Sequence, residues 1–195
     1  YSFPHMTVFA DRNKVEREET FELASAARDR FMFELNMPKP ADRGIRQSLV
    51  FDTAYHDTES LIEKVAPAIL PWDRLNAIGA QVQRSVRASE TIERYVLDVW
   101  EATEAPQKFG IRLDGVDMDR LILAGTSPRG MSALLRAART VAWLEGRSHL
   151  EPADLAAVLP SVLGHRVFFT PVYELRRAEL SEALVAQIMD KIAAP

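Results

Sequence analysis

The sequence predicts a mainly α-helical protein with a small β piece. Three observations carry that expectation. From about residue 41 onward apolar side chains recur at three- and four-residue spacing between Pro and Gly breaks. Only two short apolar runs have strand character, and both lie in the first forty residues. The chain has 195 residues, 47% of them apolar, enough for one large domain or two small ones with a real core.

The elements follow in order. Thr7-Val8-Phe9-Ala10 reads as a short buried strand, after which charge begins abruptly at Asp11. Residues 11–30 carry eleven charged side chains of both signs, a density that suits a solvated loop and a short helix. Phe31-Met32-Phe33-Glu34-Leu35 reads as a second strand, ended by Pro38-Lys39-Pro40. Leu61, Ile62, Val65 and Ile69 predict a helix over Ser60–Leu70, and Leu75, Ile78 and Val82 predict another from Pro71. Ser89 opens a helix bearing Ile92, Tyr95, Val96 and Val99 that closes near Pro106, and Gly110 to Gly115 reads as a turn or mobile loop.

The clearest helix is Pro128–Glu145. Ser127 is a good N-cap, Pro128 fills the first helical position where its missing N–H costs nothing, and Gly146 supplies the stop. Glu151-Pro152 opens a short helix that Pro160 is expected to end, and Val172–Ala193 reads as one terminal amphipathic helix.

Composition excludes several function classes. Without cysteine there is no disulfide scaffold, thiolate zinc site or cysteine nucleophile. A net charge of -4, with no basic recognition helix, argues against nucleic acid as a partner. No run of ~18 apolar residues predicts a membrane span. His5, His56, His149 and His165 lack ligand spacing, so no metal site is expected, and no G-x-S-x-G elbow frames a serine nucleophile. None of the glycines is followed by Lys, so the phosphate cradle G-x-x-x-x-G-K-[ST] is absent.

Three arginine-centred patches remain. Asn13 follows the run at 7–10, where an amide at a strand's carboxyl end could face a ligand; a turn or cap role is the alternative. In Arg28-Asp29-Arg30, Asp29 could tether one arginine while the other projects, or the three could form a surface ion pair of little value. In Gly125-Thr126-Ser127-Pro128-Arg129-Gly130 an arginine sits in the first turn of a well-capped helix. A cation there is unfavourable for the helix itself, whereas a guanidinium beside free N–H groups suits an anion.

Taken together and in order, these patches resemble the MoxR family of AAA+ ATPases. Residues 10–31 follow A-T-Q-N-P-x-E-x-E-G-T-Y-x-L-P-E-A-x-x-D-R-F over 22 residues without a gap, keeping Asn13, Glu16, Glu18, Thr20, Leu23, Ala26, Asp29, Arg30 and Phe31. Gly125-Thr126-Ser127-Pro128-Arg129 is similar to G-x-S-P-R, and Val162-Leu163-Gly164-His165-Arg166 to V-L-x-H-R. Glu145-Gly146-Arg147 and Glu151-Pro152-Ala153-Asp154-Leu155 fall between them in the family's order. The chain departs from the pattern at Arg12, Lys14, Glu19, Ala24 and Ser25, and both Walker motifs are absent.

The resemblance implies the tail of an AAA+ α/β core over residues 1–70 and an all-helical lid over 71–195. It implies that Asn13 is sensor 1, that Arg30 is an arginine finger offered to a neighbouring subunit's ATP, and that Arg129 is sensor 2, with Ser127 and Pro128 beside the nucleotide. The parent would use ATP and Mg2+, form a hexameric ring in the cytoplasm, work with a von Willebrand factor A domain partner, and remodel or mature protein complexes. Tyr1 is then a cut edge just before sensor 1, and the chain alone is expected neither to bind ATP tightly nor to hydrolyse it. The alternative is a helical scaffold or partner-binding module without nucleotide chemistry.

Overall fold

The computed structural model describes residues 5–11, 23–67 and 69–195. In chain order the helices and strands are α1 (Ser25–Arg28), α2 (Arg43–Phe51), α3 (Thr58–Glu63), α4 (Leu75–Ser85), α5 (Glu90–Glu104), β1 (Ile122–Ala124), α6 (Pro128–Leu144), α7 (Pro152–Leu163), β2 (Phe168–Phe169), α8 (Pro171–Glu174) and α9 (Arg177–Lys191). The protein is mainly helical with a small β piece, as the sequence predicts. It divides into two compact units, Tyr1–Thr7 with Leu35–Ile78, and Val8–Glu34 with Gly79–Pro195.

The smaller unit is built from locally capped helices. Asp42 accepts the Ile45 amide at 2.8 Å to start α2, and Asp57 accepts the Ser60 amide at 3.1 Å and the Ser60 hydroxyl at 2.6 Å to start α3. Those hydrogen bonds, the hydroxyl's first, hold the Asp57 carboxyl below its ordinary value. None of the described residues between 35 and 78 is buried; Ile45, Leu49, Phe51 and Trp72 all expose apolar surface.

The larger unit owns the core. On α6, Leu134, Ala138 and Ala142 fall at helical spacing on one face and are fully buried with Leu155, Leu159, Val162 and Leu163 of α7 and Leu184 and Ile188 of α9. Small alanines on α6 let the bulkier leucines of α7 approach closely, the size alternation that close-packed interiors need. The start and stop signals of α5 and α6 operate as predicted: the Ser89 hydroxyl accepts from Ile92 at 3.2 Å, Ser127 from Gly130 at 3.2 Å, and Gly146 turns the chain at φ 74°.

Several sequence expectations are corrected. Residues 7–10 form no strand and are exposed, Phe9 at 91%, because an isolated apolar run has no strand beside it among the described residues to satisfy its backbone. Residues 31–35 are also not a strand, because His165 and Arg166, just past the end of α7, take the Phe31 and Met32 carbonyls. The sheet lies instead within the larger unit, where β1 and β2 pair antiparallel with Ile122 opposite Phe169 and Ala124 opposite Phe168.

Pro160 does not end α7, which continues to Leu163. An interior proline costs about 3 kcal/mol. Leu159, Val162 and Leu163 are fully buried around it, each contributing about 1.5–3 kcal/mol, so packing outweighs the lost hydrogen bond. The terminal segment is two helices, α8 and α9, because residues 168 and 169 are drawn into the sheet and the chain must turn before α9 can lie on the core. The predicted helices at 60–70 and from 71 are shorter than expected, spanning Thr58–Glu63 and, after a 3₁₀ turn at Trp72–Arg74, Leu75–Ser85.

Candidate functional site

The turn that carries Arg129 is set by α5. The Thr103 hydroxyl accepts the Thr126 amide at 3.0 Å, and the Trp100 indole N–H donates to the Thr126 carbonyl at 2.7 Å. With both backbone groups of Thr126 pinned, the chain enters α6 at a fixed angle. Two glycines permit this closeness. A Cβ on Gly125 would lie 2.5 Å from Glu104 Cγ and 3.0 Å from its Cα, and one on Gly130 would lie 2.4 Å from Thr126 Cγ2 and 2.6 Å from Arg166 Cδ. The spacing of Gly125 and Gly130 around Ser127-Pro128-Arg129 is thus a steric requirement.

Asp29 is the hub. Its Oδ1 accepts the Ser127 hydroxyl at 2.8 Å, and its Oδ2 accepts Arg129 Nη1 at 3.0 Å. Arg166 Nε lies 3.4 Å from Oδ1, an ion-pair distance beyond a good hydrogen bond. The carboxylate therefore sits at the N-terminus of α6, where free amides and two guanidinium groups favour negative charge. Exposure separates the partners: the Arg129 side chain is 59% exposed, Asp29 13% and Arg166 1%.

His165 and Arg166, just past the C-terminal end of α7, hold the Asp29–Met32 backbone. Arg166 Nη2 donates to the carbonyls of Asp29, at 3.3 Å, and of Phe31; Nη1 donates to the Met32 carbonyl at 3.1 Å and back to that of Val162. His165 Nε2–H donates to the Phe31 carbonyl at 3.0 Å. Beyond this patch the Glu34 amide donates to the Ser161 carbonyl at 2.8 Å. Burial pulls the Arg166 guanidinium below its ordinary value, and the Asp29 charge opposes that pull. Its two Nη nitrogens are satisfied by carbonyls, while Nε is buried with only the Asp29 ion pair beside it.

Burial is also the main cause that lowers the His165 imidazole; the neighbouring Arg166 and Arg177 charges act in the same direction, and the Phe31 carbonyl opposes them. Burial thus favours the neutral ring, whose Nδ1 is buried and lacks a hydrogen-bond partner among the described residues. Because the folded value lies below the unfolded one, the unfolded chain binds more protons, and stability is lost as pH falls through about 6.5. Between pH 7.5 and 5.5, urea unfolding should show a His165-dependent slope of at most about 1.4 kcal/mol per pH unit. His165→Gln, which keeps a donor for Phe31, should remove that component. An identical pH profile in the variant would show that His165 does not titrate in this way.

The predicted site residues fall out as follows. Arg129 and Ser127 are brought together by Asp29, with Pro128 as the first residue of α6 between them. Arg30 is exposed, its guanidinium folded back onto the Ala26 carbonyl. Asn13 lies outside the described residues. Asp29 tethers neither of its flanking arginines: Arg28 is buried, pairs with Glu174 at 3.1 Å and lies 5.4 Å over the Phe168 ring. Asp29 reaches instead across nearly 100 positions to α6. The sequence reading gave Arg166 no role. Its signal was a His-Arg pair closing an apolar helix, a place where buried donors must find acceptors.

Glu145-Gly146-Arg147 and Glu151–Leu155 are structural. Arg147 grips Asp154 with two hydrogen bonds at 2.7 and 2.5 Å, and Asp154 accepts the Glu151 amide at 2.9 Å, closing the loop between α6 and α7. The Arg147 hydrogen bond holds the Asp154 carboxyl below its ordinary value and raises Arg147 in turn. Among the described residues no group of three or more His, Cys, Asp or Glu is placed to hold a metal ion. No helix among them is long and apolar enough to cross a membrane.

The α6 and α7 side of this arrangement lies inside a recognisable domain: residues 118–190 match the AAA lid domain family. Across the whole chain, Protein MoxR of Methylorubrum extorquens is 50% identical over 195 residues, which cover 57% of that relative. Protein MoxR of Paracoccus denitrificans is 49% identical over 195 residues, covering 58% of it. Over its whole length the chain is MoxR-like, and it carries an AAA lid domain. It spans a little more than half the length of these curated relatives. The fold is similar to a crystal structure of a candidate ATPase from Cytophaga hutchinsonii, with a TM-score of 0.67, 23% identity, and coverage of 94% of this chain and 52% of that one.

Proposed function

We propose that this chain is the part of a MoxR-like AAA+ ATPase that reads and completes a nucleotide site in an oligomeric ring, coupling ATP hydrolysis to the remodelling or maturation of protein complexes. The observation that carries the proposal is the Asp29 bridge, which ties the Asp-Arg-Phe segment bearing Arg30 to the α6 N-terminus bearing Arg129. Two arginines expected to face phosphate are thereby carried on one compact unit.

In this reading Arg30 is the finger that stabilises charge on a neighbouring subunit's ATP, Arg129 is sensor 2 and Asn13 is sensor 1. The fit to a phosphate is partial. Arg129 is more than half exposed at the start of a long helix, as an anion ligand requires, yet Asp29 already holds one of its nitrogens. ATP with Mg2+ would supply the phosphoryl group to be transferred. The chain's own groups would orient that group and neutralise its charge. A hexameric ring, a partner with a von Willebrand factor A domain and a cytoplasmic setting belong to the same proposal.

The 195-residue chain is expected to release no phosphate from ATP above background, whereas the full-length protein turns ATP over in a Mg2+-dependent manner. Turnover by the 195-residue chain alone would overturn the division of labour. A full-length protein with no nucleotide-dependent activity would favour a scaffold.

A further inference from the structure

Arg30 is the one described position from 29 to 32 whose carbonyl receives no donor from α7. The peptides on either side of it are held: Arg166 takes the carbonyls of Asp29, Phe31 and Met32, and His165 takes that of Phe31 as well. The same guanidinium faces the Asp29 carboxylate, whose other oxygen holds Arg129. A surface loop would be satisfied by water. Here a buried arginine takes three carbonyls of a four-residue stretch while the Arg30 side chain between them lies exposed. Gly130 leaves room for its stem, since a Cβ there would reach within 2.6 Å of Arg166 Cδ.

We infer that Arg166 is the positioning residue of the arginine finger: by clamping the backbone on both sides of Arg30 and the carboxylate that holds Arg129, it makes finger and α6 N-terminus move as one body. The inference rests on the proposed ATPase reading and assigns Arg166 no contact with nucleotide. Arg166 acts through geometry, and a displacement of about 1 Å at a reacting group can cost on the order of 10²-fold in rate. Lysine keeps the charge but has no planar fork to span three carbonyls.

The test is a double-mutant cycle in the full-length protein with Arg166→Lys and Arg30→Ala, read by ATP turnover. Arg166→Lys is expected to lower kcat by about 10- to 10²-fold with KM for ATP unchanged. Combined with Arg30→Ala it should cost far less than it does alone, because most of its effect passes through Arg30. Additive losses would show a general structural role and overturn the inference. Gly130→Ala, which presses on the Arg166 stem without removing it, is expected to behave in the same way and serves if Arg166→Lys does not fold.

Amide exchange in the 195-residue chain separates this inference from the ATPase reading. Arg166→Lys should speed exchange at the Glu34 amide, beside the clamp, while the amides of α6 remain protected. Unchanged exchange at Glu34 overturns the clamp whatever the activity. Faster exchange at Glu34, with Arg30→Ala leaving turnover intact, retains the clamp and removes the finger.

Discussion

Arg30→Ala in the full-length protein is expected to cut ATP turnover by about 10³–10⁵-fold while leaving nucleotide binding intact. The charge it supplies matters only as the phosphoryl group separates, so its loss should appear in kcat and not in ground-state affinity. Its position supports the expectation. Arg28 is consumed by Glu174 and Phe168, Arg166 by backbone carbonyls and Arg129 partly by Asp29, whereas Arg30 is exposed and, among the described residues, its side chain bonds the carbonyl of Ala26, one turn back. Mixing Arg30→Ala subunits with subunits able to donate the finger but unable to bind ATP should restore turnover if the residue acts across a subunit boundary. Steady-state turnover and nucleotide affinity, measured side by side, check both points. Unchanged turnover would remove the finger assignment.

Asp29→Ala should destabilise the larger unit by about 3–5 kcal/mol, the cost of leaving a buried charge without its counterion. Asp29 is mostly buried and its carboxylate faces two guanidinium groups, one of which is 1% exposed. Without it Arg166 and Arg129 repel each other, and the Ser127 hydroxyl loses its acceptor. Asp29→Asn should cost less, since an amide oxygen can still accept from Ser127 or Arg129, but it would not restore the charge. Urea unfolding measured at pH 7 reads the difference. If both variants match the parent in stability, the carboxylate is not the electrostatic hub that its geometry describes.

These two residues are neighbours, yet they were not equally legible. Arg30 could be picked out because its segment keeps a family pattern in register with Asn13 over 22 residues. Nothing in the local sequence distinguished Asp29 tethering an adjacent arginine from Asp29 reaching α6, because the choice depends on where residues 127, 129 and 166 arrive in space. Ser127 and Pro128 were legible for the opposite reason: capping is a local reaction between a side chain and amides three residues away. Ser89 and Gly146 belong with them.

The strand errors have a related cause. Residues 7–10 and 31–35 carry enough apolar character for strands, but a strand exists only where another backbone pairs with it. The two segments that do pair, Ile122–Ala124 and Phe168–Phe169, are too short to announce themselves by alternation. Pro160 misled because a local rule was outweighed by burial of the leucines and valine around it.

By itself the sequence determined what is settled within a few residues or by an ordered pattern: the helical class, the caps of α5 and α6, the likeness to MoxR proteins and the candidate arginines. Tertiary structure alone decided which of those arginines are spent and which is available. A guanidinium is bound or free according to the carbonyls and carboxylates that long-range packing brings within about 3 Å of it. Asp29 and Arg166 meet only once α6 and α7 are packed, and that contact leaves Arg30 facing solvent.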